Sequence, residues 1–330
     1  MKKAVIIYIF LLLLISAGFL FVITLKNTAY DKEYSFEIDP EGVVDNELGA
    51  MALSGFQSEY AVIEKNTELN AEAFSDDYAV LLVNNTDREF VAAHNVYDRI
   101  YPASTTKLVT FMVVCDAIDK GVISLDDEIT FTRNITFPEY NGATKSPLYT
   151  GCTISVRNLL FAFMIRSYND YGVVLGEAVA GSEEAFVDMM NEKLRSIGAT
   201  GSHMCNPHGL HEDDHYVTAY DLYLIINEVD KYPLVHEIDT YETYIYTYSD
   251  PNGLAATDEV QATNQFVTGE ASLPGNVDIV CWKTGTTSQA GYCLDMIFES
   301  NGKKYTVFVA DPKSKDALYS DVSSLFNYTN

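Results

Sequence analysis

Ser104 and Lys107 place a hydroxyl and an amine three positions apart in this 330-residue chain. They lie in the segment Tyr101-Pro-Ala-Ser-Thr-Thr-Lys107, directly before an apolar run that extends to Cys115. Because Pro102 favours a helix start, the two side chains are expected to be neighbours on one face of the first turn. A desolvated lysine can lose its proton and activate a serine. The segment therefore predicts a serine nucleophile with a lysine base.

The same spacing occurs a second time, at Ser300 and Lys303, so the pair alone is a weak signal. That second pair spans the dipeptide Asn301-Gly302, which is typical of a turn between two strands. The run after Lys107 is instead apolar nearly all round, which is typical of a helix through the centre of a domain. The setting therefore favours Ser104 as the nucleophile.

Two more short motifs could complete a site with this pair. Ser167-Tyr-Asn169 lies at a predicted break between two helices. At such a break, a hydroxyl and a side-chain amide can face a bound peptide. Lys283-Thr284-Gly285 follows a predicted strand, and Thr286 comes next. A cation on a strand edge would lie beside main-chain groups that can pair with an extended peptide. These three motifs together predict a cleft built for a peptide.

The elements that would position these motifs follow a simple order along the chain. Two strands that form a hairpin come first, several helices fill the middle, and strands return in the C-terminal third. The predicted strands are 78–83, 89–93, 278–282 running into the Lys-Thr-Gly motif, 291–299 and 304–310. The predicted helices are 104–121, 155–166, 182–197, 218–229 and 315–328. Because the first hairpin needs partner strands, the sequence predicts an α/β domain with one mostly antiparallel sheet.

The N-terminal region is expected to lie outside the catalytic domain, which is assigned to residues 77–330. An uncharged apolar run, 4–25, follows two lysines and is long enough to span a membrane. We expect it to be an uncleaved anchor, or otherwise a cleaved signal segment that leaves a secreted protein. The lysines predict an extracytoplasmic catalytic domain on a single-pass cell-membrane protein. Residues 26–76 are interpreted as an acidic spacer, with a short helix near 66–74.

Charge and cysteine content exclude several classes of function. A formal net charge of −26 argues against nucleic acid as a partner and against an anionic membrane surface. The 5 cysteines show no metal-binding spacing, and most are expected to be buried as apolar residues.

Ser-x-x-Lys, Ser-x-Asn and Lys-Thr-Gly in this order are the established signature of penicillin-binding proteins and class A β-lactamases. Further blocks extend the likeness: Ala180-Gly-Ser-Glu-Glu-Ala-Phe186, Asn206-Pro-His-Gly-Leu210, His215-Tyr-Val-Thr-Ala219 and Ala290-Gly-Tyr-Cys293. Residues from about 77 to 328 resemble low-molecular-mass penicillin-binding proteins, which are serine-type D-alanyl-D-alanine carboxypeptidases. The resemblance implies the fold of β-lactamases and DD-peptidases, with a mostly antiparallel five-stranded sheet flanked by helices and a helical subdomain.

The resemblance also implies how the first two motifs would act. Ser104 would attack the penultimate D-alanine carbonyl of a peptidoglycan stem peptide, and Lys107 would take the serine proton. Ser167 would relay a proton to the leaving amine, and Asn169 would hold Lys107 and a substrate amide. β-Lactam antibiotics would acylate Ser104 as covalent inhibitors. Water would release the shortened peptide, so the resemblance implies that no metal ion or organic cofactor is needed.

The third motif would bind the substrate. Lys283 would tune the proton relay and attract the terminal carboxylate, with Thr284, Gly285 and Thr286 beside it on the strand. The main-chain N–H groups of Ser104 and Thr286 would form the oxyanion hole.

Three alternatives remain open. The segment His211-Glu-Asp-Asp-His215 formally satisfies a zinc-protease motif, but its flanking residues predict a loop and not the helix that such a site needs. A β-lactamase shares the fold and the three motifs, but the pentapeptide Glu-x-x-Leu-Asn does not occur between Asn169 and Lys283. A non-catalytic relative that binds wall peptides is disfavoured because every motif residue is intact.

The chain also departs from the family pattern at two places. Tyr168 stands where these carboxypeptidases usually carry glycine, which predicts a narrower cleft rim. The family's C-terminal arginine, which helps bind the substrate's terminal carboxylate, falls near Leu318, and the nearby Lys315 is a partial substitute at most.

Overall fold

Strands from the two ends of the domain pair with one another in a single sheet. In the computed structural model, which describes residues 59–140 and 142–329, this sheet contains β1 (Ala79–Asn84), β2 (Glu89–His94), β7 (Val277–Thr287), β8 (Gly291–Ser300) and β9 (Lys303–Ala310). The strand order is β2-β1-β9-β8-β7, and every neighbouring pair is antiparallel. The predicted α/β architecture with a mostly antiparallel five-stranded sheet is confirmed.

The helices of the described residues are α1 (Lys107–Asp119), α2 (Val156–Arg166), α3 (Asn169–Ala180), α4 (Glu183–Ser196), α5 (Ala219–Val229), α6 (Pro233–Ile238) and α7 (Lys315–Phe326). Four of them begin where a serine or threonine side chain accepts a main-chain N–H of the first turn, at Ser155, Ser182, Thr218 and Ser314. Nearly all of α1 is buried, as its apolar sequence predicts.

Helices cover both faces of the five-stranded sheet. Phe298 and Tyr305 stack on one face, where the ring of Phe326 from α7 meets Phe298 at a centroid distance of 5.0 Å. The next residue of β9, Thr306, points to the other face and accepts a hydrogen bond of 3.0 Å from Asn227 of α5. This follows from the two-residue period of a strand, which sends successive side chains to opposite faces.

A second, four-stranded sheet was not predicted from the sequence. It consists of β3 (Glu128–Thr130), β4 (Thr153–Ser155), β5 (Thr243–Ser249) and β6 (Ala255–Gln261), in the order β3-β4-β5-β6. β3 and β4 are only three residues long, and β6 carries few apolar residues. None of these three strands therefore shows a clear periodic pattern in the sequence. The threonines and tyrosines of β5 were the available signal.

The folded domain begins before residue 77, because residues 59–76 pack against it. The main-chain N–H of Ala61 donates to the Tyr223 hydroxyl at 3.0 Å, and Leu69 forms an antiparallel bridge with Ala93 of β2. The predicted short helix near 66–74 is wrong. The chain turns there instead, with Asn66 at φ 64° and Asn70 at φ 51°.

The predicted anchor, 4–25, and the first part of the predicted spacer lie outside the described residues. Within the part of the chain that the structure describes, no helix has the length and apolar character needed to cross a membrane.

Candidate active site

Ser104 lies in a short 3-10 helix, Ala103–Thr106, that leads directly into α1. Two glycines let neighbouring chain segments approach this turn. A Cβ on Gly209 would lie 1.8 Å from the carbonyl oxygen of Ala103, and a Cβ on Gly285 would lie 3.1 Å from the main-chain nitrogen of Ser104. Close contact from both sides therefore holds the serine, although Ala103 itself has an unusual φ of 47°.

A buried hydrogen-bonded chain fixes the same turn from below. The main-chain N–H of Cys205 donates to Nδ1 of His215 at 3.0 Å, and Nε2 of that ring lies 2.8 Å from the Thr106 hydroxyl oxygen. Because the Thr106 hydroxyl donates to the Ala103 carbonyl at 2.8 Å, its oxygen accepts from the histidine. Burial lowers the pKa of His215 to about 3, so the ring is neutral. His215 therefore supports the nucleophile's turn, with both ring nitrogens engaged in hydrogen bonds.

Lys107 is fully buried beneath Ser104 and directs its Nζ at three oxygens. It donates to Asn169 Oδ1 at 2.8 Å and to the His208 carbonyl at 2.6 Å, and it lies 3.1 Å from Ser104 Oγ, whose hydroxyl proton a neutral amine would accept. Burial lowers the pKa of Lys107 well below its usual value, and the nearby charge of Lys283 lowers it further. A neutral amine within reach of a serine hydroxyl can act as its base.

Lys283 reaches across from β7 to the second motif. Its Nζ donates to Ser167 Oγ at 3.2 Å and to the Thr284 carbonyl at 3.1 Å. Ser167 sits at the end of α2 in a left-handed conformation, with φ 68°, which turns the chain out of one helix before α3 begins. Burial lowers the pKa of Lys283 to about 7, an effect that the carboxylate of Asp239 opposes.

The outer edge of β7 is open next to Ser104, because β7 pairs only with β8 among the described strands. The main-chain N–H of Trp282 points to this edge and donates to Asp239 at 3.0 Å. Since N–H directions alternate along an antiparallel strand, the N–H groups of Thr284 and Thr286 point to the same edge. This strand can therefore offer main-chain donors to a peptide and to a developing oxyanion.

The structure brings all eight predicted site residues together. Five of them line an open cleft of about 620 Å³, measured with its mouth: Ser104, Ser167, Thr284, Gly285 and Thr286. The other three, Lys107, Asn169 and Lys283, are buried directly behind it. This arrangement puts a nucleophile, two lysines and a strand edge at one surface.

The expectation that Tyr168 narrows the rim of the cleft is wrong. Tyr168 is buried, and its hydroxyl donates to Asp258 of β6 at 3.1 Å. The Tyr246 hydroxyl donates to the same carboxylate oxygen at 2.8 Å. Tyr168 therefore links the second motif to the four-stranded sheet, while the preceding residues Arg166 and Ser167 line the cleft.

Two other sequence motifs do not form comparable sites. The segment 211–215 contains a turn and no helix, as predicted, and no group of histidine, cysteine, aspartate and glutamate among the described residues could hold a metal ion. Ser300 is buried at the β8–β9 turn, while the exposed Lys303 pairs with Asp87 at 2.7 Å. The 5 cysteines, all within the described residues, are free, and four of them are buried as expected.

Sequence reasoning missed several residues of the cleft. Thr263 follows β6 and its hydroxyl lies 2.6 Å from that of Thr284. Asp239 follows α6 and closes the edge of β7 at Trp282. Both are distant in sequence from the motifs, so no local pattern marks them. Arg166 also lines the cleft, and its place directly before Ser167 was a signal that could have been used.

The pKa of Lys283 predicts how acylation of Ser104 depends on pH. In its predicted role of attracting a carboxylate, Lys283 must be protonated, so its charge and the expected rate of acylation should fall as pH rises through about 7. At lower pH the rate should fall again as Lys107 becomes protonated and ceases to act as a base. Second-order rate constants for acylation by a fluorescent penicillin, which report the ionisation of the free protein, should therefore show a bell-shaped dependence on pH.

Lys283→Arg is the matching variant, because arginine keeps its charge throughout this range. Its rates should be lower, but the decline on the alkaline side should disappear. An alkaline decline at the same pH in both proteins would contradict the assignment to Lys283.

The family comparison covers most of the folded domain. The profile of peptidase family S11, described as D-alanyl-D-alanine carboxypeptidase, matches residues 64–313. D-alanyl-D-alanine carboxypeptidase DacF of Bacillus subtilis is 32% identical over 82% of this chain and 66% of its own length. A protein of Escherichia coli named D-alanyl-D-alanine endopeptidase is 30% identical over 75% of this chain and 74% of its own length. This chain thus spans only part of these carboxypeptidases: 66% of the length of DacF, and 59% and 52% of the lengths of DacC and DacA from Escherichia coli.

Solved structures share the fold at low sequence identity. The Streptomyces K15 DD-transpeptidase superposes with a TM-score of 0.68 at 22% identity, covering 81% of this chain and 98% of that one. Penicillin-binding protein D2 from Listeria monocytogenes, in its cefotaxime-bound form, gives a TM-score of 0.65 at 23% identity, covering 78% and 98%. The DD-peptidase fold predicted from the sequence is confirmed.

Proposed function

The chain belongs to peptidase family S11, the D-alanyl-D-alanine carboxypeptidases, and from this premise we propose that it removes the terminal D-alanine of peptidoglycan stem peptides. The observation that carries the proposal is the contact of the buried Lys107 amine with Ser104 Oγ at 3.1 Å. It pairs a nucleophile with a base whose pKa is lowered, at the floor of a cleft with an open strand edge.

The first step forms an acyl-enzyme. Ser104 Oγ attacks the carbonyl carbon of the penultimate D-alanine, and its proton passes to Lys107 Nζ. The N–H groups of Ser104 and Thr286 would stabilise the oxyanion of the tetrahedral intermediate. The carbon–nitrogen bond then breaks and the leaving amine takes a proton from Ser167. The contact of Lys283 with Ser167 Oγ supports this relay, because an ammonium can return that proton.

Water completes the turnover by attacking the ester carbonyl, and its proton passes through Ser167 to the Lys283 amine that gave one up. As the shortened peptide leaves, Lys107 returns its proton to Ser104 Oγ, which restores both lysines and the serine hydroxyl. A penicillin would acylate the same oxygen, but its ring-opened product stays attached and blocks the water's approach. Covalent labelling by β-lactams is therefore part of the proposal, and no metal or organic cofactor takes part in any step.

The test measures wild-type protein with a diacyl-Lys-D-Ala-D-Ala peptide. We expect one free D-alanine per peptide, identified by mass spectrometry, and a penicilloyl-enzyme that persists for many turnover times. Absence of D-alanine release by protein that a penicillin does label would overturn the carboxypeptidase assignment. Rapid turnover of penicillin would indicate a β-lactamase instead, and cleavage of cross-linked stem peptides alone would indicate an endopeptidase.

We also propose that residues 4–25 anchor the protein in the cell membrane with the catalytic domain outside the cytoplasm. The support is the uncharged apolar run after Lys2 and Lys3. The protein should then stay in the membrane fraction, with the intact N-terminus detectable by mass spectrometry. Recovery of the full-length chain in a soluble fraction would contradict the anchor.

A further inference from the structure

Two exposed cations belong to the wall of the cleft: Arg166, the last residue of α2, and Lys315, the first residue of α7. Neither side chain makes a hydrogen bond or ion pair with any residue that the structure describes. No aspartate or glutamate among the described residues lines the cleft, although the chain has 47 acidic residues against 21 lysines and arginines. The cleft is therefore locally positive in a strongly acidic protein, which favours an anionic ligand.

The position of Arg166 indicates which part of a substrate it would meet. It directly precedes Ser167, which in the proposed mechanism gives its proton to the leaving amine. Ser104, Ser167 and Thr284 line the cleft together with Lys315 and Leu318 of α7. A substrate whose leaving amine meets Ser167 would therefore place its leaving residue near Arg166. The leaving residue of a carboxypeptidase substrate carries a free carboxylate one carbon from that amine.

The α7 side of the cleft offers little to such a carboxylate. Leu318 lines the cleft there with an apolar side chain that is 2% exposed. Lys315 is a flexible point charge, whereas a guanidinium can donate two parallel hydrogen bonds to one carboxylate. Arg166 is therefore the group on the cleft wall best suited to recognise a carboxylate by geometry as well as charge.

We propose that Arg166 is a specificity-determining residue that binds the free carboxylate of the leaving residue. The proposal rests on the carboxypeptidase function and adds how this chain selects peptides with a free C-terminus. Because charge-assisted hydrogen bonds are involved, loss of the guanidinium should lower the preference for a free carboxylate by about tenfold to a hundredfold.

The test compares diacyl-Lys-D-Ala-D-Ala with the same peptide ending in a carboxamide. The ratio of their kcat/KM values is measured within each protein, so differences in active fraction cancel. Arg166→Gln should lower this ratio, because kcat/KM should fall only for the peptide that ends in a free carboxylate. Arg166→Lys should restore part of the ratio. Lys315→Gln is the matched control and should change the ratio less. An unchanged ratio in Arg166→Gln, or a larger loss in Lys315→Gln, would overturn the proposal.

A separate arm distinguishes this proposal from the proposed function. If the wild-type protein cleaves neither peptide, the carboxypeptidase function fails, and the comparison is repeated with acylation by a penicillin and by its methyl ester. Arg166→Gln should slow acylation by the free acid and leave acylation by the ester unchanged. Equal effects on both β-lactams, or no acylation by either, would overturn the role of Arg166.

Discussion

Replacing Ser104 with alanine is expected to abolish covalent labelling by a fluorescent penicillin and to lower D-alanine release by on the order of 10⁴- to 10⁶-fold. The substitution removes the oxygen that lies 3.1 Å from the buried amine of Lys107. The other motif serine, Ser167, contacts Lys283 instead, which must keep its charge in the proposed mechanism. Gel fluorescence after a fixed labelling time and release of D-alanine from the diacyl peptide measure the two effects.

The second Ser-x-x-Lys motif supplies the matched control for this experiment. Ser300→Ala changes the same residue type at the same spacing, but at a turn where the lysine pairs with Asp87 instead. This variant should be labelled like the wild type. Ser104 is only partly exposed at the cleft surface, so Ser104→Ala should unfold at nearly the same temperature. Equal labelling of Ser104→Ala and wild type would remove Ser104 as the nucleophile.

Replacing Lys107 with methionine is expected to slow acylation of Ser104 by about 10²- to 10⁴-fold, the usual contribution of a general base. Lys107→Arg should be similarly slow, because arginine keeps a positive charge but does not give up its proton. The two variants thus separate a base from a fixed cation. Second-order rate constants for a fluorescent penicillin at neutral pH are the measurement.

Stability must be followed in the same variants, because Lys107 is buried. Its removal leaves Asn169 Oδ1 and the His208 carbonyl without their donor, each at a cost of about 1 to 3 kcal/mol. Rates are therefore compared below the melting temperature of each protein. Lys303→Met, on the exposed surface, is the control and should acylate normally. Wild-type acylation by Lys107→Arg would exclude Lys107 as the base.

Much of the fold could be predicted because its main elements carry strong local patterns. The apolar run of α1 and the hairpin of β1 and β2 appear in the structure as expected. The four-stranded sheet could not be predicted, because β3 and β4 are too short to show a period. The region 59–76 has an acidic, irregular sequence, and only its contacts with the domain reveal that it is folded.

The candidate site also has a part that could be predicted from the sequence and a part that could not. The three motifs were visible because each is a short run of reactive residue types, and these runs meet at one cleft. Asp239 and Thr263 were not visible, because single residues far from any motif act through contacts that only folding creates. Tyr168 was misjudged for a related reason, since its partner Asp258 belongs to the sheet that the sequence did not reveal.

The reactive residues could be read from the sequence. Ser104, Lys107, Ser167 and Lys283 were identified by type and order, because motif spacing depends on local chain geometry. Their protonation states required the folded structure, since the pKa values of both lysines follow from burial and from charges on distant segments. The folded structure also decided that Arg166 faces the cleft and that Tyr168 does not. Those orientations depend on how α2 packs against the rest of the domain, which no local pattern encodes.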